Sequence, residues 1–310
     1  KLHLYGNIGG PEDIAKVLGS GGEGIGLFRT EYLFMNGYVI PTEEEQFIAY
    51  KKAAVMARGR DVIIRTLDIG GDKNVPYMGL PRESNPFLGY RAIRYCLDRT
   101  DIFRAQLRAI LRASAFGKIK IMLPLITSVS EVIAVKRHLH NISLELEKSG
   151  VEFDREIKVG VMIETPAASL IADLLAEEVD FFSIGTNDLI QYTMAVDRCN
   201  ENVSYLYSPY NPAVLRSIRH IIQCAKTSGI PVGMCGEAAA DPKMIPLLIA
   251  FGLDEFSVSA ANILETRKNI ASWNMEEVTK IAETVMKFHT EKEVSQYLSE
   301  VDSQKRQEVI

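Results

Sequence analysis

Apolar and polar positions along the chain fall into two alternating patterns: short runs rich in Val, Ile and Phe, and longer stretches with apolar residues at helical spacing. The short runs read as strands over Leu2–Ile8, Gly24–Thr30, Val62–Leu67, Ile119–Ile126, Ile157–Glu164, Phe181–Gly185, Pro231–Cys235 and Glu255–Ser259. Helical stretches follow them, among them Glu43–Ala57, Val129–Lys148, Ala167–Glu177 and Pro242–Ala250. The strands are apolar almost without interruption, which implies burial on both faces, as in a parallel sheet covered by helices. Eight β/α units are the number that closes a barrel, so the pattern predicts an α/β fold of the (β/α)8 type.

The third unit is overlong. Gly70–Ser84 reads as a Gly/Pro-rich loop, and two helical stretches, Phe87–Leu97 and Asp101–Phe116, precede the fourth strand. Long loops after barrel strands are where such folds place ligand contacts. The stretch Glu276–Ile310 is amphipathic and charged, which predicts additional outer helices with frayed ends.

Composition narrows the function classes. With 310 residues, 47% of them hydrophobic, the chain can bury one large core, and a single barrel domain over 1–310 is expected. A formal charge of -5, from 35 basic and 40 acidic residues, gives no net positive field for nucleic acid or an anionic membrane, so any anion site must be local. No run approaches 18 apolar residues, and no membrane insertion is expected. Cys96, Cys199, Cys224 and Cys235 are widely spaced and form no CxxC pair, which points to reduced thiols and a cytosolic compartment. The start, Lys1-Leu2-His3-Leu4-Tyr5, has neither an initiator Met nor a signal-peptide pattern, so a piece of something longer is expected.

The candidate chemistry sits where the strands stop. Glu164 and Asp188 end the fifth and sixth strands, neighbours in a closed barrel, and paired carboxylates with open positions suit Mg²⁺. Their alternative role is helix capping, since Thr165-Pro166 and Asn187-Asp188 also resemble helix starts. Arg29 and Arg65 end the second and third strands, and a planar guanidinium grips phosphate or carboxylate with two parallel hydrogen bonds. For either arginine the alternative is an ion pair with a neighbouring acid such as Glu31 or Asp68. Arg91, Arg198 and Lys73 are further cations that loops can deliver. Cys235, bracketed by Gly233 and Gly236, can donate a proton to a carbanion or enolate, or simply be a small buried hydrophobe. The glycine runs at 19–24 and 70–71 fit neither a P-loop nor a complete GxGxxG. His3, His138, His140, His220 and His289 lie away from the strand ends.

Seven ordered segments carry a resemblance: Gly-Ile-Gly-Leu-Phe-Arg-Thr-Glu-Tyr-Leu-Phe (24–34), Arg-Thr-Leu-Asp-Ile-Gly-Gly-Asp-Lys (65–73), Asn-Pro-Phe-Leu-Gly-Tyr-Arg-Ala-Ile-Arg (85–94), Ile-Met-Leu-Pro-Leu (121–125), Gly-Val-Met-Ile-Glu-Thr-Pro-Ala (160–167), Ser-Ile-Gly-Thr-Asn-Asp-Leu-Ile-Gln-Tyr (183–192) and Gly-Met-Cys-Gly-Glu (233–237). With them the chain resembles the phosphoenolpyruvate-utilising enzymes, most closely the phosphoenolpyruvate-binding C-terminal domain of the Enzyme I family of the bacterial sugar phosphotransferase system. The resemblance implies Mg²⁺ on Glu164 and Asp188. It also implies a phosphoenolpyruvate held by Arg29, Arg65, Lys73, Arg91, Asn187 and Arg198, with Cys235 as the acid that protonates the enolate to pyruvate. It further implies a homodimer, and a phosphoryl acceptor histidine on a separate N-terminal domain that relays to the carrier protein HPr. No Gly/Thr/Ser-rich, His-containing motif of that kind occurs in this sequence. The chain alone is therefore expected to bind phosphoenolpyruvate with Mg²⁺ but not to phosphorylate HPr. Two alternatives stay open: a phosphoenolpyruvate-sensing dimerisation module, and the C-terminal domain of a pyruvate phosphate dikinase or phosphoenolpyruvate synthase.

Overall fold

The computed structural model describes residues 1–35, 37–71 and 75–308. Eight strands, β1 (His3–Ile8), β2 (Ile25–Arg29), β3 (Val62–Arg65), β4 (Ile119–Leu123), β5 (Lys158–Ile163), β6 (Phe181–Ile184), β7 (Val232–Met234) and β8 (Glu255–Ser259), pair in parallel in chain order. The sheet closes where β1 meets β8, with His3 opposite Glu255 and Asn7 opposite Ser259. This is the (β/α)8 barrel that the alternation predicts, and all eight expected strands are present. Side chains alternate across each strand. Ile64, Ile121, Val161, Ile184 and Val232 point outward into the core beneath the helices, while Leu27, Ile63, Met122, Met162, Phe181 and Cys235 pack against one another inside the barrel.

Observed strands stop one to three residues short of the expected C-terminal ends at Thr30, Leu67, Ile126, Glu164, Gly185 and Cys235. Those residues leave the sheet at the mouth. Three helix expectations need correction. Ala167–Glu177 is two short helices, Pro166–Leu170 and Ala172–Ala176, because Ile171 leaves helical geometry at φ -108° and ψ 25°. Phe87–Leu97 is a 3-10 turn, Pro86–Leu88, followed by a helix, Ala92–Asp98. Between them Glu83 takes the Tyr90 N–H that a continuous helix would use, and Arg91 is extended. Pro242–Ala250 starts later, at Ile245, because Asp241 holds a turn by accepting from the N–H groups of Lys243 and Met244. After β8, helices run over Ile263–Ala271, Met275–Val285 and Glu291–Glu308. The last two are the expected outer additions, anchored by buried Val278, Val285, Val294 and Leu298. Among the described residues no helix is long and apolar enough to cross a membrane, and all four cysteines are free thiols.

Candidate active site

Strand ends and the loops behind them build one cup of about 560 Å³ at the C-terminal mouth. Arg29, Arg65, Arg91, Glu164, Asn187, Asp188, Arg198 and Cys235 all line it. Lys73 lies outside the described residues. Much of the charge here is dry: Glu31, Asp68, Glu164, Asp188, Arg65 and Arg91 are each buried, while Arg29 and Arg198 are partly exposed and Glu237 is exposed.

The charged groups form a chain of alternating sign across the mouth. Arg65 Nη2 lies 2.6 Å from Glu31 Oε1 and 3.2 Å from Asp68 Oδ2. Arg91 Nη2 lies 2.8 Å from Asp68 Oδ1 and 3.1 Å from Asp188 Oδ2, and Arg198 Nη1 is 2.8 Å from Asp188 Oδ1. The simple alternative for Arg65, pairing with Glu31 and Asp68, is therefore realised, yet it leaves donors over: Arg65 Nε and Arg91 Nε are buried with no hydrogen-bond partner. A buried N–H without an acceptor costs free energy, so both guanidiniums are held here with one donor uncompensated. Burial acts against the Arg65 cation, but Glu31, Asp68 and Glu164 outweigh it and push its pKa up. The same holds for Arg91, where Asp68 and Asp188 do so. Arg29 lines the cup with no side-chain partner among the described residues.

Local sequence explains how these groups are held. Thr30 donates to the Arg65 carbonyl, and Gln106 reaches in from the helix Thr100–Ser114 to donate to Thr30 and Tyr50 while accepting from Leu67 N–H. The ends of β2 and β3 are thus clamped from behind. Arg91 approaches over Gly70, where φ is 110° and a Cβ would sit 2.4 Å from the Arg91 Cβ, so glycine is required there on both counts. Tyr192, from the helix Thr186–Met194, accepts from Arg91 Nη1 at 3.1 Å and donates to the Phe87 carbonyl. The Phe87 ring lies 5.7 Å from the Arg91 guanidinium and 5.6 Å from that of Arg198.

Thr165 does cap a helix, accepting from Ala168 N–H with Pro166 in the first turn, but Glu164 and Asp188 do not. Glu164 accepts from Leu125 N–H at 2.6 Å, and Leu125 presents that N–H from a left-handed conformation, φ 55°. Ala92, beside Arg91, has φ 49°. Such backbone is strained for residues with a Cβ and persists where its surroundings enforce it. Burial, then the nearby charges of Asp188 and Asp68, hold the Glu164 carboxyl well above the usual carboxylate range. Asn187 Oδ1 accepts from Glu237 N–H. Burial pushes the Cys235 thiol up to about 11 despite Ser183 and Arg65 nearby. Asn7, on β1, donates to the carbonyls of Cys235 and Ser257 and fixes that side of the cup.

Glu31, Asp68, Gln106, Tyr192 and Asn7 were not among the expected site residues. Glu31 and Asp68 were visible only as possible partners of the arginines. Nothing in the spacing of Gln106, mid-helix, signals its role.

The family model described as "PEP-utilising enzyme, PEP-binding domain" matches residues 1–275. The chain belongs to this family. It is 54% identical over 297 residues to the phosphoenolpyruvate-protein phosphotransferase of Geobacillus stearothermophilus, covering 96% of this chain and 51% of that protein. The protein of the same name in Bacillus subtilis (strain 168) is 52% identical over 299 residues, with 96% and 52% covered. That of Latilactobacillus sakei is 52% identical over 294 residues, with 95% and 51% covered. The chain thus spans about half the length of these relatives. In family terms, the match from residue 1 to 275 takes in all eight strands and every charged group of the cup.

Proposed function

We propose that the cup binds phosphoenolpyruvate together with Mg²⁺ and presents the phosphoryl group to a histidine, releasing pyruvate, as the opening step of a sugar phosphotransferase relay to HPr. The observation that carries this reading is the pair of dry guanidiniums, Arg65 and Arg91, lining the same cup as the buried carboxylates Glu164 and Asp188. Membership of a phosphoenolpyruvate-binding family and the names of the long relatives support it.

The donor set suits a hard cation. Glu164 and Asp188 offer oxygen ligands, and Mg²⁺ takes one or two carboxylates while keeping water and substrate phosphate as its other ligands. Charge argues the same way. Among the described residues four arginines and five acids (Glu31, Asp68, Glu164, Asp188 and Glu237) line the cup, so these arginines alone leave it without the positive charge that a phosphate plus carboxylate demands. Bound Mg²⁺ would supply that charge at the phosphoryl oxygens.

The chain's own residues do the rest. Arg29, Arg65, Arg91 and Arg198 orient the two anionic ends, and Asn187 adds polar contact. When the P–O bond breaks and a P–N bond forms to the acceptor imidazole, the electron pair left on the enolate returns through carbon, which takes a proton from Cys235 Sγ. A thiol whose pKa is about 11 is protonated at neutral pH and can serve as that donor. None of the five histidines lines the cup, so the acceptor must reach it from elsewhere, consistent with relatives about twice as long. Calorimetric titration with phosphoenolpyruvate, with and without Mg²⁺, tests the reading. Binding that requires Mg²⁺ in the wild type and is weakened in Glu164→Gln, with more Mg²⁺ needed to restore it, is expected; no binding in the wild type, or equal binding without the metal, would overturn it.

A further inference from the structure

Asp68 is 2% exposed and stands three residues beyond Arg65, just past the end of β3. Among the described residues its oxygens face two cations: Oδ2 lies 3.2 Å from Arg65 Nη2, and Oδ1 lies 2.8 Å from Arg91 Nη2. Arg65 belongs to the rigid barrel, whereas Arg91 arrives on the long third connection, pressed over Gly70 and followed by the strained Ala92. One carboxylate therefore ties a strand to a loop.

We infer that Asp68 is a positioning residue, setting the span and orientation between the Arg65 and Arg91 forks so that a ligand with two anionic ends meets both at once. The inference rests on the phosphoenolpyruvate reading of the cup. Each fork also keeps a buried Nε–H with no hydrogen-bond partner, so the orientation of both guanidiniums rests on the carboxylates that hold their Nη groups. Span, not charge, is the contribution of Asp68. A negative group beside an anion site repels the anion, so if charge were its whole effect, removing it would tighten binding. If it positions the forks, removing it loosens binding, and moving its oxygens by one methylene in Asp68→Glu does the same. A small, single-centred anion such as inorganic phosphate needs one fork and is far less sensitive to the span.

The test is calorimetry on the whole chain with Mg²⁺, titrating phosphoenolpyruvate and, separately, inorganic phosphate into the wild type, Asp68→Asn and Asp68→Glu. Phosphoenolpyruvate is expected to bind about tenfold more weakly in both variants, the scale of one charge-assisted hydrogen bond, with phosphate affinity little changed. Unchanged or tighter phosphoenolpyruvate binding in Asp68→Asn overturns the inference. So does an equal loss for both ligands, which marks a merely structural role. Mn²⁺ binding without phosphoenolpyruvate, read by electron paramagnetic resonance, should be the same in wild type and Asp68→Asn; a clear loss makes Asp68 a metal ligand and overturns it too. If the wild type binds no phosphoenolpyruvate, the reading of the cup fails first, which separates the two failures. Should both variants fail to fold, guanidinium ¹⁵N spectra of the wild type decide, with Arg65 and Arg91 assigned through Arg→Lys changes. Slow guanidinium rotation at both arginines and a joint shift on adding phosphoenolpyruvate are expected, and free rotation at either overturns the inference.

Discussion

At the N-terminal end of the barrel Lys120 reaches Asp61 at 2.6 Å, and at the C-terminal mouth Arg65 reaches Glu31 at the same 2.6 Å. The surroundings differ. The Lys120 and Asp61 side chains are 27% and 22% exposed, those of Arg65 and Glu31 only 8% and 2%. Lys158 with Asp180 and Lys226 with Asp254 continue the wetter pattern at the N-terminal end. Ions that keep water contribute little to stability and cost little when removed, whereas dry ions have lost their hydration and depend on one another. Apolar packing would stabilise the mouth at least as well as its buried charges do. Keeping those charges there makes sense as preparation for a ligand.

The largest expected effect follows from breaking the dry pair. Arg65→Ala leaves Glu31 and Asp68 buried beside a lost cation and should cost about 3–5 kcal/mol of stability, measured by urea unfolding. Phosphoenolpyruvate affinity should fall about a hundredfold in the same variant, measured by calorimetry. A stability loss under about 1 kcal/mol would show that the mouth is as wet in effect as the opposite end, and the comparison would fail.

Next in size is Cys235→Ser, which changes proton delivery and leaves the ion chain alone. With a histidine-bearing N-terminal half of a relative supplied in trans, pyruvate release should slow about a hundredfold, the lower range for loss of a general acid. Phosphoenolpyruvate affinity should stay close to that of the wild type. Equal losses in affinity and release would assign the thiol to packing.

The contrast between the ends also explains what the sequence pattern could and could not convey. Periodicity reports burial, so the outward faces of the strands, Ile64, Val161 and Ile184 among them, made the barrel readable. Strand-end position placed Arg29, Arg65, Glu164, Asp188 and Cys235 at one mouth, because in a parallel barrel every strand ends on the same side. Arg91 and Arg198 could be suspected but not placed, since their loops turn through local events such as Glu83 binding Tyr90 N–H. Gln106 and Tyr192 act across long sequence separations from ordinary helical positions, and no local spacing encodes that. The same limit made one helix of 167–177 and let strands run to Leu67 and Ile126, where the chain has already left the sheet.

A smaller, pH-dependent effect belongs to the N-terminal end. The Glu255 side chain is half-buried and lies over Gly26 and Gly233. Burial, opposed by Lys120 and reinforced by Asp61 and Asp254, raises its pKa from 4.5 to about 8. The folded state therefore binds this proton more tightly than the unfolded chain does, so stability falls as pH rises from 4.5 towards 8 and levels off above it. Glu255→Gln removes that slope. Its melting temperature should gain on the wild type between about pH 5 and about pH 9, and a gap that stays constant with pH would show the carboxyl to be solvated.

The smallest change should be Lys120→Met. With both partners about a quarter exposed, losing the pair to Asp61 should cost about 1 kcal/mol or less in urea unfolding. Phosphoenolpyruvate binding should not move, because Lys120 is not among the residues lining the cup. Lys120 also holds the Glu255 pKa down, so its removal should push that carboxyl higher and carry the pH-dependent loss of stability to higher pH. If Lys120→Met instead matched Arg65→Ala in cost, a 2.6 Å ion pair would be worth the same at either end, and burial would no longer be what sets the mouth apart.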